Sequence, residues 1–396
     1  LHLRALIACT SLLLAAPTAG AAKLAPADRL ALQALEQQVS PMPGPQSAKE
    51  AATLTARMAE AKVPAVGIAF IEDGKIKWVR AYGTPVAGAT RPADARTRFQ
   101  AASLSKAVAA AAALRLVDAG RLTLDDNVRP RLAEWTAAGT DAVSLRQLLS
   151  HTAGLSVGGY PGYRIGQPVA TLVESLNGTP PSNTAAVRSF ATPGKQMAYS
   201  GGGYSVAQLL MSKAAGQPFD QLMSRFLLRP AGMSHSSFQQ PLTMADRHRA
   251  AGHDGDGRPI NGGHHLYPEL AAAGLWTTPS NYARFLIALQ DSWQGKRGAL
   301  LSPASARAMM TPVLVNYALG VAVGGTDGAR FIAHTGSNEG FQCRFTAFLN
   351  GSRQGLVVMT NGDNGGRLAA AIQRTLARAY GWPDVQLPPT ARAPDD

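Results

Sequence analysis

Two β-rich stretches, one near each end of the chain, enclose a long helical middle, and this placement limits the fold more than any single motif does. Residues 65–71 and 75–82 are β-rich runs joined by Glu72-Asp73-Gly74, which predicts a β-hairpin. From about Tyr317 strand texture returns, at 318–323, 330–333, 341–349 and 355–360, between Gly, Asn and Ser turns. Between the two stretches, helices are predicted over 203–215, 219–228 and 281–290, with others at 26–39, 49–61 and 368–380. A single sheet assembled from both ends, carrying a helical insert, follows. Its α/β part is expected at 48–130 and 300–381 and its helical part at 131–299. Residues 22–47 read as an N-terminal helix and linker, and the Pro-rich 382–396 as a loose tail.

With 396 residues, 46% hydrophobic and 16% charged, the chain can bury a large core, and its composition is not that of a disordered, collagenous or coiled-coil protein. A net charge of +13 would suit nucleic acid or an anionic surface. The basic residues are scattered arginines, however, with no nucleic-acid motif beside them, so a solvated basic surface is expected and nucleic acid is not an expected partner.

Arg4, the apolar residues 5–16 and Ala19-Gly20-Ala21 have the order of a Sec-type signal peptide over 1–21, which predicts a periplasmic or secreted protein. The apolar run is too short to span a bilayer and no later run reaches that length, so no integral membrane segment is expected after cleavage. Leu6-Ile7-Ala8-Cys9 is similar to a lipoprotein box, but few residues precede Cys9 and apolar ones follow it, which weighs against lipidation. Only Cys343 would remain after cleavage, in a strand-like run, as a buried small apolar residue without a disulfide partner.

The chemistry centres on Phe99 to Val108, FQAASLSKAV. An alanine-rich helix beginning here puts Ser103 and Lys106 three residues apart on one face. The lysine would receive the serine proton, more readily if burial lowers its pKa, and the N–H groups of the helix start favour the negative charge that develops on attack.

Two further motifs follow in order, Tyr199-Ser200-Gly201 and His334-Thr335-Gly336. With Ser103-Leu104-Ser105-Lys106 and the phrases LLSHTAGL, RPAGM and AAGLWTTPS, the chain from 63 to 381 resembles the serine β-lactamase and penicillin-binding protein family, in its class C, DD-peptidase and family VIII esterase branch. The resemblance implies a β-lactamase-like α/β (α+β) fold: an antiparallel sheet flanked by helices plus a mostly helical second domain. It also implies an acyl-enzyme on Ser103, Lys106 and Tyr199 as acid–base groups, and an oxyanion hole from the N–H groups of Ser103 and Ser337. Tyr199 is expected to act with a phenol pKa lowered by the nearby ammonium. Gly336 is expected to let a backbone approach the substrate.

Gly201 stands where members of the family often carry Asn, and His334 where lysine is commoner. The first removes an amide for the substrate's carbonyl and the second a permanent positive charge, so ester substrates compete with amides. The implied activity is amide cleavage in a β-lactam or a D-amino-acid-containing peptidoglycan fragment. The alternatives are a carboxylesterase with the same residues and, in a different class, a non-hydrolytic muropeptide or penicillin binder. No metal or organic cofactor is implied, and a monomer acting on a small molecule or peptidoglycan fragment is expected.

Several other residues imitate functional patterns. Ser175-Leu176-Asn177 and Glu174 imitate a class A site, but the glutamate position four residues before the asparagine holds Val173. His248, His253, His264 and His265 with Asp254 and Asp256 lack a metal-ligand spacing on a regular element. Arg344, close to the third motif, could meet a carboxylate, but a sheet-surface arginine is the stronger expectation.

Overall fold

The computed structural model describes residues 24–396 except 46, 138, 140, 243–245, 384, 386–391 and 396. The expected signal peptide and Cys9 lie outside the described residues. Six antiparallel strands make the central sheet: β1 (Ala65–Glu72), β2 (Lys75–Gly83), β3 (Ala322–Gly324), β4 (Phe331–Asn338), β5 (Phe341–Phe348) and β6 (Gly355–Thr360), in the spatial order β2-β1-β6-β5-β4-β3. The sheet therefore joins both ends of the chain, as the strand texture predicts. Asp73 and Gly74 close the β1–β2 hairpin with φ of 51° and 71°, the pair of positive values a tight two-residue turn demands.

Strand alternation divides the core between the two faces. Val66, Ile68 and Phe70 of β1 and Leu356 and Val358 of β6 meet helices α1 (Pro26–Gln37) and α5 (Gly365–Ala379), the latter through Leu368, Ile372 and Leu376. Each such buried aliphatic side chain stabilises the fold by about 1.5–3 kcal/mol. Ala65, Ala69, Val357 and Met359 point to the opposite face and join the larger core.

That core surrounds helix α2 (Leu104–Asp118), whose residues 104–114 are all buried. An alanine-rich helix is thin, so its neighbours can close on it from every side. Among them are α3 (Gly201–Ala215) and the short helix Leu270–Ala273. Helix α4 (Pro279–Trp293), expected within the helical part, lies instead on β1 and β6, because Phe285, Leu286 and Leu289 cover the sheet's second face. The helix expected from residue 49 starts at Leu54, where the Thr53 side chain accepts the Ala56 N–H and so caps it. No helix among the described residues is long and apolar enough to cross a membrane.

Candidate active site

Ser103 occupies the N-cap of α2, and the residue before it, Ala102, is held at φ +49°, a left-handed conformation costly for alanine. Two elements fix this turn. Phe99–Gln100 pairs with Trp276–Thr277, and the Ser105 hydroxyl accepts the Leu275 N–H at 3.0 Å. On the other side β4 presses directly on it. A Cβ on Gly336 would lie 2.6 Å from the Ala101 carbonyl oxygen and 2.6 Å from Cys343 Sγ. The glycine of the third motif thus admits the protein's own nucleophile turn, where the sequence suggests an approach to substrate. Cys343 is buried as expected, its thiol donating to the Ala101 carbonyl at 2.9 Å.

Lys106 Nζ stands 3.0 Å from Ser103 Oγ and donates to the Ala272 carbonyl at 2.9 Å. No carboxylate pairs with it among the described residues, and its side chain is enclosed. Burial, reinforced by the Arg392 charge, lowers its pKa to about 7. With one N–H committed to Ala272, the neutral amine has a lone pair for the serine proton.

Tyr199 interacts with Ser103 through its hydroxyl, and Lys106 Nζ lies 5.0 Å from its ring centre. Its pKa moves opposite to the expectation: burial raises it, and the Ser103 hydrogen bond and Arg392 charge only partly oppose this. Tyr199 is therefore a neutral phenol, and of the two groups Lys106 is the one whose pKa lies near neutrality. Ser200 caps α3 by accepting the Gly203 N–H, which fixes the position of its neighbour Tyr199. Gly201 opens that helix beneath the Tyr160 ring, whose Cε2 would lie 3.1 Å from an added Cβ.

His334, on β4, shares the cleft. Burial and the nearby Lys106 push its pKa down to about 3, so the ring is neutral. Nδ1 faces the Thr335 carbonyl and carries the proton, which leaves the buried, unpartnered Nε2 as an acceptor. A neutral acceptor does not hold a carboxylate. Cations are supplied from elsewhere. A cavity of about 650 Å3 contains Ser103, Tyr199, His334 and Ser337, and Arg344, Arg374 and Arg392 line it, with no Asp or Glu among its described lining residues. Arg344 is thus a cleft residue and not merely part of the sheet surface. Its Nε has no partner among the described residues, and burial with the Arg374 charge lowers its pKa to about 10. A second cavity of about 680 Å3 also opens on Ser103, Ser337 and Arg392 and reaches Lys106, Tyr160 and Asn338. The Ser103 N–H has no acceptor among the described residues, as a contributor to an oxyanion hole requires.

Several residues of the site are invisible to motif reading. His151, in the LLSHTAGL phrase, accepts the Ser200 N–H at Nδ1 (3.0 Å) and packs its ring 4.2 Å from that of Tyr199. Tyr317 packs edge-on to His151 and His334. Arg392 belongs to the tail expected to be loose, yet residues 392–395 are docked: Ala393 is 4% exposed and its N–H donates to the Tyr199 carbonyl at 2.9 Å.

The imitating residues have structural duties. Glu174 forms a capping box with Thr171, Ser175 donates to Glu269 at 2.6 Å, and Asn177 accepts the N–H groups of Thr136 and Ala137. His253 accepts the Ala87 N–H at Nε2, so its Nδ1–H donates to the Asn361 carbonyl.

Known proteins are similar to this chain in sequence or in structure. Protein Rv1367c of Mycobacterium tuberculosis is 29% identical over 260 residues, which cover 57% of this chain and 62% of that protein, so this chain spans less than two thirds of its length. The D-amino acid amidase from Ochrobactrum anthropi SV3 superposes with a TM-score of 0.69 at 17% identity, over 90% of this chain and 99% of the amidase. EstCE1, a hydrolase with promiscuous acyltransferase activity, superposes with a TM-score of 0.67 at 20% identity, over 82% of this chain and 96% of its own. At these identities the two structures show a shared β-lactamase-like fold. The family model described as Beta-lactamase matches residues 51–380. Because that match takes in the whole sheet and every motif lining the cleft, the chain belongs to the beta-lactamase family.

Proposed function

We propose that this protein is an exported serine hydrolase that works through an acyl-enzyme on Ser103 and cleaves an amide bond in a β-lactam or a D-amino-acid-containing peptidoglycan-type substrate. The observation that carries the reading is the buried amine of Lys106, 3.0 Å from Ser103 Oγ and shifted to about pKa 7. The serine proton passes to that amine as Oγ attacks the carbonyl carbon, and the oxyanion forms at the N–H groups of Ser103 and Ser337. The proton then reaches the leaving group from Lys106 or through the neutral Tyr199 hydroxyl. Water attacks the acyl-enzyme with the same groups in reversed roles. Arg344 and Arg374 in the first cavity, with no Asp or Glu among its described lining residues, support a substrate that bears a carboxylate.

Gly201 and the neutral His334 favour a second reading, a carboxylesterase, since neither offers an amide hand or a charge to a lactam. A fluorescent penicillin and a fluorophosphonate, each followed by peptide mass spectrometry, and parallel turnover of nitrocefin and a p-nitrophenyl ester separate the readings. The amide reading expects penicillin label on Ser103. Rapid ester turnover with neither lactam turnover nor penicillin label establishes the esterase. Absence of label from both probes overturns the hydrolase and leaves a non-hydrolytic binder.

A further inference from the structure

The segment Arg392–Asp395 enters the cleft along the wall opposite β4. Its backbone runs parallel to that of Tyr199, with a bridge between Tyr199 and Arg392. Ala393 N–H donates to the Tyr199 carbonyl at 2.9 Å and Val157 N–H donates to the Pro394 carbonyl at 2.7 Å. Gly158 N–H donates to Asp395 Oδ1 at 2.9 Å. The wall is shaped for this contact. Val157 is held at φ +64°, an unusual conformation for a β-branched residue, and a Cβ on Gly158 would lie 2.9 Å from the Ala393 carbonyl oxygen. Arg392 then stands between the two cavities that open on Ser103, since it lines both.

We propose that Val157, Gly158 and Tyr199 form a docking groove for an extended peptide, and that this chain's own Arg392–Asp395 is its displaceable occupant, obstructing access to Ser103. The ligand class follows from the contacts: two backbone hydrogen bonds require an extended main chain, and the Gly158 N–H takes a carboxylate at the position of Asp395. Three hydrogen bonds and one buried alanine make a small attachment, and a substrate competing for the cleft can displace it. The docked strap occupies part of the space in front of Ser103, so substrate binds best to the molecules with the strap undocked, and the apparent affinity falls as that fraction falls.

The occlusion of Ser103 rests on the hydrolase reading; the groove does not, and the experiment separates them. A chain ending after Pro383 and the full chain carrying Ala393→Pro, which deletes the N–H given to Tyr199, are compared with the full wild-type chain. Fluorescence polarisation reads binding of labelled acetyl-Arg-Ala-Pro-Asp-amide to all three. The shortened chain and Ala393→Pro are expected to bind the peptide at least about fivefold more tightly than the wild-type chain, and to show a KM for a p-nitrophenyl ester at least about fivefold lower. Equal peptide affinity in all three, or no binding to any, overturns the groove. Tighter peptide binding with unchanged KM overturns the obstruction. Failure of Ser103 to take a fluorophosphonate even in the shortened chain counts against the hydrolase reading and leaves the polarisation result to decide the groove.

Discussion

Lys106 Nζ is bound on one side to Ser103 Oγ at 3.0 Å and on the other to the Ala272 carbonyl at 2.9 Å, with no carboxylate partner among the described residues. In the proposed mechanism a lysine so placed serves as base because it is enclosed, not because a partner activates it. Lys106→Ala is expected to lower the Ser103 acylation rate at least about a hundredfold, the scale of a positioned acid–base group. Lys106→Arg should do the same, since a guanidinium keeps its proton. Stopped-flow acylation by a fluorescent penicillin or turnover of an ester measures both; a near-normal rate for the arginine variant would remove the base from Lys106.

In the proposed mechanism Tyr199 relays a proton as a neutral phenol, consistent with a pKa raised by burial. Tyr199→Phe keeps the ring against His151 and removes only the hydroxyl. The acylation rate should fall about a hundredfold while the melting temperature changes little, and the midpoint of the acid limb should stay near that of Lys106. An acid limb that vanished in this variant would make Tyr199 the ionising base.

How much of this is legible in the sequence depends on what each residue touches. Ser103 and Lys106 are one helical turn apart, so their meeting is a matter of helix period. The sheet is legible because its strands are β-rich runs bounded by Gly, Asn, Asp and Ser turns. The pKa of Tyr199 is not, because its sign depends on how completely segments far apart in sequence bury the ring. His151 and Arg392 escape for a different reason. Each reaches the site across a long sequence separation, one through an imidazole accepting the Ser200 N–H and the other through backbone pairing, and no local pattern encodes such a contact. The partner of helix α4 is not legible either, because an amphipathic pattern shows an apolar face without showing which surface that face meets.

Gly336 is expected to tolerate no side chain. In Gly336→Ala the new methyl meets the Ala101 carbonyl and Cys343 Sγ, both at 2.6 Å, so either β4 or the turn before Ser103 must move. A loss of about 1–3 kcal/mol in chemical denaturation, together with slower Ser103 labelling, is expected. Unchanged labelling would mean that the turn is not held by β4.

Glu269 is almost fully buried, accepts the Ser175 hydroxyl at 2.6 Å, and has its pKa raised by burial to about 7, above the ordinary 4.5. A raised carboxyl pKa means that the fold favours the protonated form, so this contribution is complete below pH 4.5 and is lost as pH rises through 7. Glu269→Gln removes the titration. Its stability relative to wild type should therefore increase between pH 5 and pH 8, by on the order of 1–3 kcal/mol. Urea denaturation at the two pH values measures the difference, and a constant difference would show that Glu269 does not carry a buried proton.

The pH dependence of Ser103 labelling tests the central claim most directly, because it joins the nucleophile to its base in one observable. Fluorophosphonate labelling of the wild-type chain, located by peptide mass spectrometry, should fall on Ser103 and rise with pH through a midpoint near the Lys106 value of about 7. Label on another residue, or a Ser103 labelling rate flat from pH 5 to pH 9, would contradict the account.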